Sequence, residues 1–319
     1  MHDGRVIRLM ARWSRLGRIV ALASLGIGSV LGISAASTPR PDPARFFDVD
    51  RAVLGGSSDQ ARDPFDELAA RFVRCRNEHP EGDSAGACLR SVVFGGDGLN
   101  VVNDSSTVRE STLTGLLLDH RGGCAALVAL AMVLDPLAWD AYVLRNHVLL
   151  RTRLEPPRYF ELTAQGREIS VRELKNRFGS QLKAAVIVSA PKFIGYYLDN
   201  LAVRLAGDGR ETDAERFFQK AIALGPRETR PRLNYGTFLL ERDRVDEAVH
   251  QLKVAARHAR NDADAWTNLG VAYARRGQDE RAADSFERAT RIDPGHATAR
   301  TNLATVRARL QAREASPAH

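Results

Sequence analysis

Three residues able to carry out acyl-transfer chemistry follow one another in the middle of the chain. They are Cys124 in "DHRGGCAALVALAMVLD", His147 in "RNHVLLR" and Glu161 in "RYFELTA". A thiol at a helix N-terminus loses its proton more readily, because unpaired N–H groups and the helix dipole favour the thiolate. Gly122 and Gly123 stand directly before it, where they allow close backbone approach and leave N–H groups for an oxyanion. His147 is the candidate base and Glu161 the candidate carboxylate that orients its ring. His120 is a second choice of base and Asp140 an alternative orienter. Each of these residues also has a purely structural reading: Cys124 as a small buried thiol, His147 as a histidine wedged between leucines, Glu161 as a solvated strand residue. Cys124, His120 and His147 lack the spacing of a metal site, and the chemistry requires neither metal nor cofactor.

The elements around these residues are those needed to hold them. The apolar pattern from Ser111 to Asp135 predicts helix, interrupted at Gly122-Gly123. "WDAYVLRNHVLLRTRL" alternates as one or two strands, Pro156-Pro157 marks a turn, and "RYFELTAQG" reads as another short strand. Two neighbouring antiparallel strands could bring His147 and Glu161 within hydrogen-bond reach. A helix is expected to start at Asp63-Pro64, with the aspartate as cap, and another at "SVRELKNRF" with Ser170 as cap. These elements predict an α+β domain over 63–190. Residues 38–62, with three prolines, two glycines and a serine pair, read as a flexible linker.

The C-terminal half repeats with a period of 34 residues. Trp266, Leu269, Gly270, Tyr273, Ala282, Phe286, Ala289 and Pro294 fall at the tetratricopeptide (TPR) spacing. Tyr235, Gly236, Leu239, Ala248, Leu252 and Ala255 precede them by one period; Leu201, Ala202, Ala214, Phe218 and Pro226 belong to the unit before. The predicted units are 195–228, 229–262 and 263–296, with a capping helix at 297–313, so 191–313 is expected to be an all-α TPR solenoid. Asn200, Asn234, Asn268 and Asn302 share one repeat position. Their amides could hydrogen-bond an extended peptide or its terminal carboxylate, or could simply belong to the repeat pattern. A protein or peptide ligand in the groove is the expected partner.

The chain has 319 residues and a formal charge of +7. Five arginines against one aspartate in the first 37 residues account for more than half of that charge, so no basic surface recommends nucleic acid. The basic start followed by an uncharged stretch from Ile19 to Ala36 predicts a signal peptide over 1–37, or an uncleaved anchor holding the protein at a membrane. Both readings put the rest of the chain in the periplasm or cell envelope. In an oxidising compartment Cys75 and Cys88, close in sequence and on flanking helices, should pair as a disulfide and leave Cys124 as the free thiol.

Taken in order, "FGGDGL", "ESTLTGLLLDHRGGCAALVALAMVL", "NHVLLR", "YFELTAQG" and "YYLDNLAVRLAGDG" followed by helical repeats resemble bacterial transglutaminase-like core proteins with a C-terminal TPR region. The resemblance covers roughly residues 65–315. It implies a papain-like α+β fold with Cys124 as nucleophile, His147 as base and Glu161 where that superfold usually has aspartate. The activity it implies is acyl transfer or amide hydrolysis by an amidase, peptidase or transglutaminase-like acyltransferase. The competing expectation is a TPR adaptor that carries a retired enzyme fold.

Overall fold

In the computed structural model, the described residues are 44–79, 84–95, 99, 101, 107–135, 137–144 and 147–315. The predicted export segment lies outside them. Among the described residues, no helix is long and apolar enough to cross a membrane.

The chain centres on helix α5, Cys124–Leu134, preceded by α1 (Ala44–Leu54), α2 (Arg62–Glu78), α3 (Ser84–Phe94) and α4 (Leu113–Asp119). Nine consecutive residues of α5, Ala125 to Val133, are buried. A helix apolar all round has no solvent face to offer, and α5 is enclosed by the sheet, by α4 and by the first long helix of the C-terminal half. Gly122, just before it, is buried, and a Cβ there would come within 2.7 Å of Leu116 Cδ1, so the close packing requires glycine.

The strands are β1 (Trp139–Val143), β2 (Val148–Thr152), β3 (Tyr159–Glu161), β4 (Arg167–Ile169) and β5 (Val186–Ser189). They form one antiparallel sheet in the order β4-β3-β2-β1-β5, with Val143 opposite Val148 and Leu150 opposite Phe160. Because side chains alternate across a sheet, Ala141, Val143, Val148 and Leu150 join the main core. Leu149 turns to the other face, where it meets Ile169 and Leu174 beneath α6 (Val171–Phe178). The Ser170 hydroxyl accepts from Glu173 N and caps α6.

Among the described residues, seven helices follow the sheet: α7 (Ala190–Gly207), α8 (Glu211–Leu224), α9 (Thr229–Glu241), α10 (Val245–His258), α11 (Ala263–Arg275), α12 (Asp279–Ile292) and α13 (Ala297–Ala315). The 34-residue period has a direct steric cause. A Cβ at Gly236 would stand 2.5 Å from Leu252, and one at Gly270 would stand 2.6 Å from Phe286, so each helix pair closes on a missing side chain. The turns inside the pairs repeat too: Gly209, Asp243 and Gly277, 34 residues apart, all have positive φ.

Two expectations need correction. Residues 44–61, within the expected linker, are ordered as α1 followed by a 3-10 helix, Gly55–Ala61. Phe46, Phe47 and Val53 are buried there, and the Phe46 and Phe47 rings pack edge-on against Tyr197 and Phe65. Apolar burial outweighs the turn propensity of the glycines and serines. Asp63 is not the cap of α2; it lies inside the first turn, which runs on from the 3-10 helix.

The N-terminal and C-terminal parts share one apolar core, because α7 belongs to both. At the start of α4, the Leu113 N–H donates to the Tyr197 hydroxyl (2.6 Å), Thr114 N–H donates to Asp50 (2.7 Å), and Gly115 N–H donates to Thr112 (2.9 Å). The Tyr197 hydroxyl in turn donates to Asp50 (2.7 Å). Three N–H groups that an isolated helix leaves without partners are thereby satisfied by α1, α7 and the local cap. Burial pushes the Asp50 carboxyl up to about 6, against the opposing pull of its hydrogen bonds from Tyr197 and Thr114.

Candidate active site

Cys124 is the first residue of α5, preceded by Gly123 in extended conformation. His147 immediately precedes β2, its carbonyl accepting from Leu144 N to close the β1–β2 hairpin (2.8 Å). Glu161 ends β3. The helix start meets the beginning of β2 and the end of β3 at one end of this antiparallel pair, and there the three side chains converge.

The Cys124 sulfur, the His147 ring and Val148 line the same pocket, and the ring and the Val148 N–H both favour the thiolate. His147 Nε2 lies 2.7 Å from Glu161 Oε2. Nδ1 is therefore the ring nitrogen left for the sulfur. Glu161 is almost fully buried; it accepts from the Thr163 hydroxyl (2.5 Å) and from Arg177 (3.3 Å). The imidazole stacks on Phe178, with ring planes 15° apart. Glu161 thus has fixed partners on both oxygens, and the ring it holds is packed on one face.

The charges follow from this geometry. Burial alone would raise the Cys124 thiol and lower the His147 imidazolium. For Cys124, the hydrogen bond and charge of His147, the Val148 N–H and the charge of Arg230 outweigh burial, and the thiol is lowered. For His147, hydrogen bonds to Cys124 and Glu161 carry the ring up to about 9. Burial would raise Glu161, yet His147, Thr163 and Arg177 hold it below its ordinary value. The arrangement lowers the thiol and raises the imidazole, and so favours the thiolate–imidazolium pair over what either group would form alone.

Not every expected residue is placed for its expected role. Gly123 N–H donates to the Glu110 carbonyl (3.3 Å), so it does not face an oxyanion, and Gly122 serves the packing on Leu116. Cys124 and Ala125, in the first turn of α5, have no carbonyl of their own helix to receive their N–H groups. His120 is exposed, in left-handed conformation at the end of α4. Asp140 is held by Arg153 (2.9 and 2.8 Å) and does not orient His147. Among the described residues, no group of three or more His, Cys, Asp and Glu side chains could hold a metal.

The pocket in front of the sulfur is small, about 30 Å³. Cys124, Ala125, His147 and Val148 form one wall; Phe193, Tyr196 and Asn200 of α7 and Arg230 of α9 form the other. Of the asparagine row, Asn200 lines this pocket, whereas Asn234 is committed to Asp199, donating to both carboxylate oxygens (3.0 and 2.9 Å). Asn268 and Asn302 are half-buried in α11 and α13. The four amides therefore do not form a uniform free ladder. Sequence reasoning missed Arg230, Tyr196 and Arg177, whose roles depend on how α6, α7 and α9 dock. Cys75 and Cys88 are disulfide-bonded across α2 and α3, and Cys124 is free.

Family models of the tetratricopeptide repeat match residues 233–297 and 195–225, so the C-terminal part of the chain carries these repeats. The human protein O-mannosyl-transferase TMTC3 is 26% identical over 118 residues, which is 37% of this chain and 13% of that protein's length. Among solved structures, the first TPR domain of Spaghetti (RPAP3) bound to the HSP90 peptide SRMEEVD is 17% identical, with a TM-score of 0.36. It covers 37% of this chain and 93% of its own. MamA from Desulfovibrio magneticus RS-1 is 24% identical, with a TM-score of 0.35, covering 38% of this chain and 68% of its own. The Sgt2 TPR domain from Aspergillus fumigatus is 15% identical, with a TM-score of 0.37, covering 40% of this chain and 86% of its own.

Proposed function

We propose that the protein is a cysteine-dependent acyl-transfer enzyme, hydrolysing or transferring an amide-linked acyl group, built on a transglutaminase-like α+β domain and joined to a TPR protein-interaction module. The observation that carries this reading is the convergence of Cys124, His147 and Glu161 at the N-terminus of a buried helix. The Cys124 thiolate attacks the carbonyl carbon, and the displaced electron pair moves to the carbonyl oxygen, facing the N–H groups of Cys124 and Ala125. Collapse of that intermediate expels the amine, which takes the proton held by His147 and leaves a thioester. Water or an acceptor amine then attacks the thioester and gives its proton to His147, and collapse releases the acyl product and restores the Cys124 thiolate beside the imidazolium. Glu161 keeps the imidazole oriented throughout. The repeats would bring the acyl donor or acceptor as a protein or peptide. The basic-then-apolar N-terminus and the Cys75–Cys88 disulfide support placing this chemistry in the periplasm or cell envelope, with the N-terminal segment as signal or anchor.

Alkylation tests the reading, since the disulfide leaves Cys124 as the one free thiol. Iodoacetamide should react with it at pH 5–6 many-fold faster than with free cysteine, and Cys124→Ala should abolish turnover of amide or ester substrates. Reaction no faster than free cysteine would refute it. One observation favours a second reading, that of an adaptor on a retired enzyme fold: a pocket of about 30 Å³ walled by α7 has little room for a substrate. On that reading the Cys124→Ala chain binds its partner as well as the unaltered protein and no activity is lost.

A further inference from the structure

The wall opposite the thiol is unusually rich in hydrogen-bond donors. Arg230 reaches the pocket from α9, and its Nε is 3.2 Å from Asp199 Oδ2. Asp199 is fully buried, and both of its oxygens also accept from Asn234. Asp199, itself held by Asn234, thus engages the guanidinium by one edge. Among the described residues, nothing pairs with the two Nη groups on the other edge. Asn200, also lining the pocket, adds an uncommitted side-chain amide. The Tyr196 hydroxyl is already engaged, donating to Glu228 (2.7 Å).

We propose that Arg230 and Asn200 are specificity residues that bind a carboxylate on the acyl donor, so that the substrate carries an anionic group beside the carbonyl that Cys124 attacks. This rests on the acyl-transfer reading and adds the substrate class. A guanidinium held by its Nε offers the two parallel Nη donors that match the two oxygens of a carboxylate. The cavity is the size of one small polar group rather than of an apolar side chain. Asp199 compensates part of the positive charge, which lets the unliganded site exist without a bound anion, yet its oxygens are turned to Asn234 and to Nε. The repeat region thereby supplies part of the substrate pocket itself.

Two alkylating agents of nearly the same shape test this in the full chain without reductant: iodoacetate, which is anionic, and iodoacetamide, which is neutral. In each case the Cys124 sulfur forms a bond to the methylene carbon, and iodide leaves with the carbon–iodine pair. The measured quantity is the ratio of the two second-order rate constants, referred to the same ratio for free cysteine. The charge-balanced pair Asp199→Asn with Arg230→Gln removes the cation without leaving a buried unpaired carboxylate. His147 is untouched, so its attraction for iodoacetate remains. The ratio should fall about fivefold, less than for the loss of a lone cation, because the Asp199 carboxylate lost with the guanidinium does not line the pocket. Arg230→Lys keeps an ion pair with Asp199 but loses both free Nη donors, and should lower the ratio about threefold; it stands as the test if the double variant does not fold. A ratio within twofold of the unaltered protein in either folded variant, with Cys124 still fast, overturns the carboxylate subsite alone. A Cys124 no faster than free cysteine with both reagents overturns the acyl-transfer reading and this subsite with it.

Discussion

Replacing Glu161 by glutamine removes the charge behind the imidazole while keeping an oxygen that can accept from Nε2. The structure sets the size of the effect. His147 stands at about 9 against an ordinary value of 6.5, which corresponds to roughly 3 kcal/mol in favour of the protonated ring. That is the net after burial has pulled the other way, so Cys124 and Glu161, each through a hydrogen bond and a charge, together supply at least this much. Assigning about half to Glu161, its loss should lower the imidazolium by about one pH unit and raise the thiol correspondingly, because the two groups titrate as a pair. The assay is the rate of Cys124 alkylation by iodoacetamide from pH 4 to 9, with the disulfide intact and the melting temperature measured alongside. In the unaltered protein the rate should rise at lower pH than for a free thiol and change again as His147 deprotonates near pH 9. In Glu161→Gln the acid limb should move up by about a unit, and the rate below its midpoint should fall roughly tenfold. Superimposable profiles would show that Glu161 does not support the ion pair. An unaltered-protein profile with one midpoint near that of a free thiol would remove the ion pair altogether.

Stability offers further checks. Asp50 binds its proton more tightly folded (about 6) than unfolded (3.8), so its contribution is full below pH 4 and is lost as the pH rises to about 6, by roughly 3 kcal/mol. The difference in unfolding free energy between Asp50→Asn and the unaltered protein should therefore change by that amount over this range; a difference independent of pH contradicts the assignment. Gly270→Ala, with its new Cβ 2.6 Å from Phe286, should cost about 1–3 kcal/mol in urea unfolding. A loss below about 0.5 kcal/mol would mean that the repeat seam relaxes freely. Reduction of Cys75–Cys88, which are 13 residues apart, should cost on the order of 3 kcal/mol, and an unchanged denaturation midpoint would show that the cross-link adds nothing.

What could be read from the sequence and what could not divides along the range of the interactions. Cys124, His147 and Glu161 each sit in a local pattern of their own: glycine break before an apolar helix, hairpin end, short strand after a proline turn. Their order was enough to bring them together. The repeat helices are legible for the same reason, since each small residue at a seam recurs every 34 residues. Arg230 is one arginine among several in "PRETRPRLNYG", and only the docking of α9 beside α7 puts it at the thiol. The asparagine row shows what phase alone conceals. Asn234 has the same repeat position as Asn200, but a carboxylate at Asp199 claims its amide. The segment around Phe46 and Phe47 was obscured by the nearby Pro and Gly, although two adjacent phenylalanines with Val53 one helical face further on were signals of burial.

The bond between Tyr197 and Asp50 spans 147 residues. It closes the N-terminal helix, the α4 start and the first repeat helix into one unit, and that has a temporal meaning for a chain made from one end. Until residues 190–207 have emerged, α4 lacks an acceptor for Leu113 N–H and α5 lacks the helix that covers it. The candidate catalytic half must therefore wait, loosely collapsed, for a piece of the repeat array before its core can lock. Long-range closures of this kind are slow to form, because the loop entropy comes before the contacts that offset it. Nascent chains ending before Gly207 should be the protease-sensitive ones.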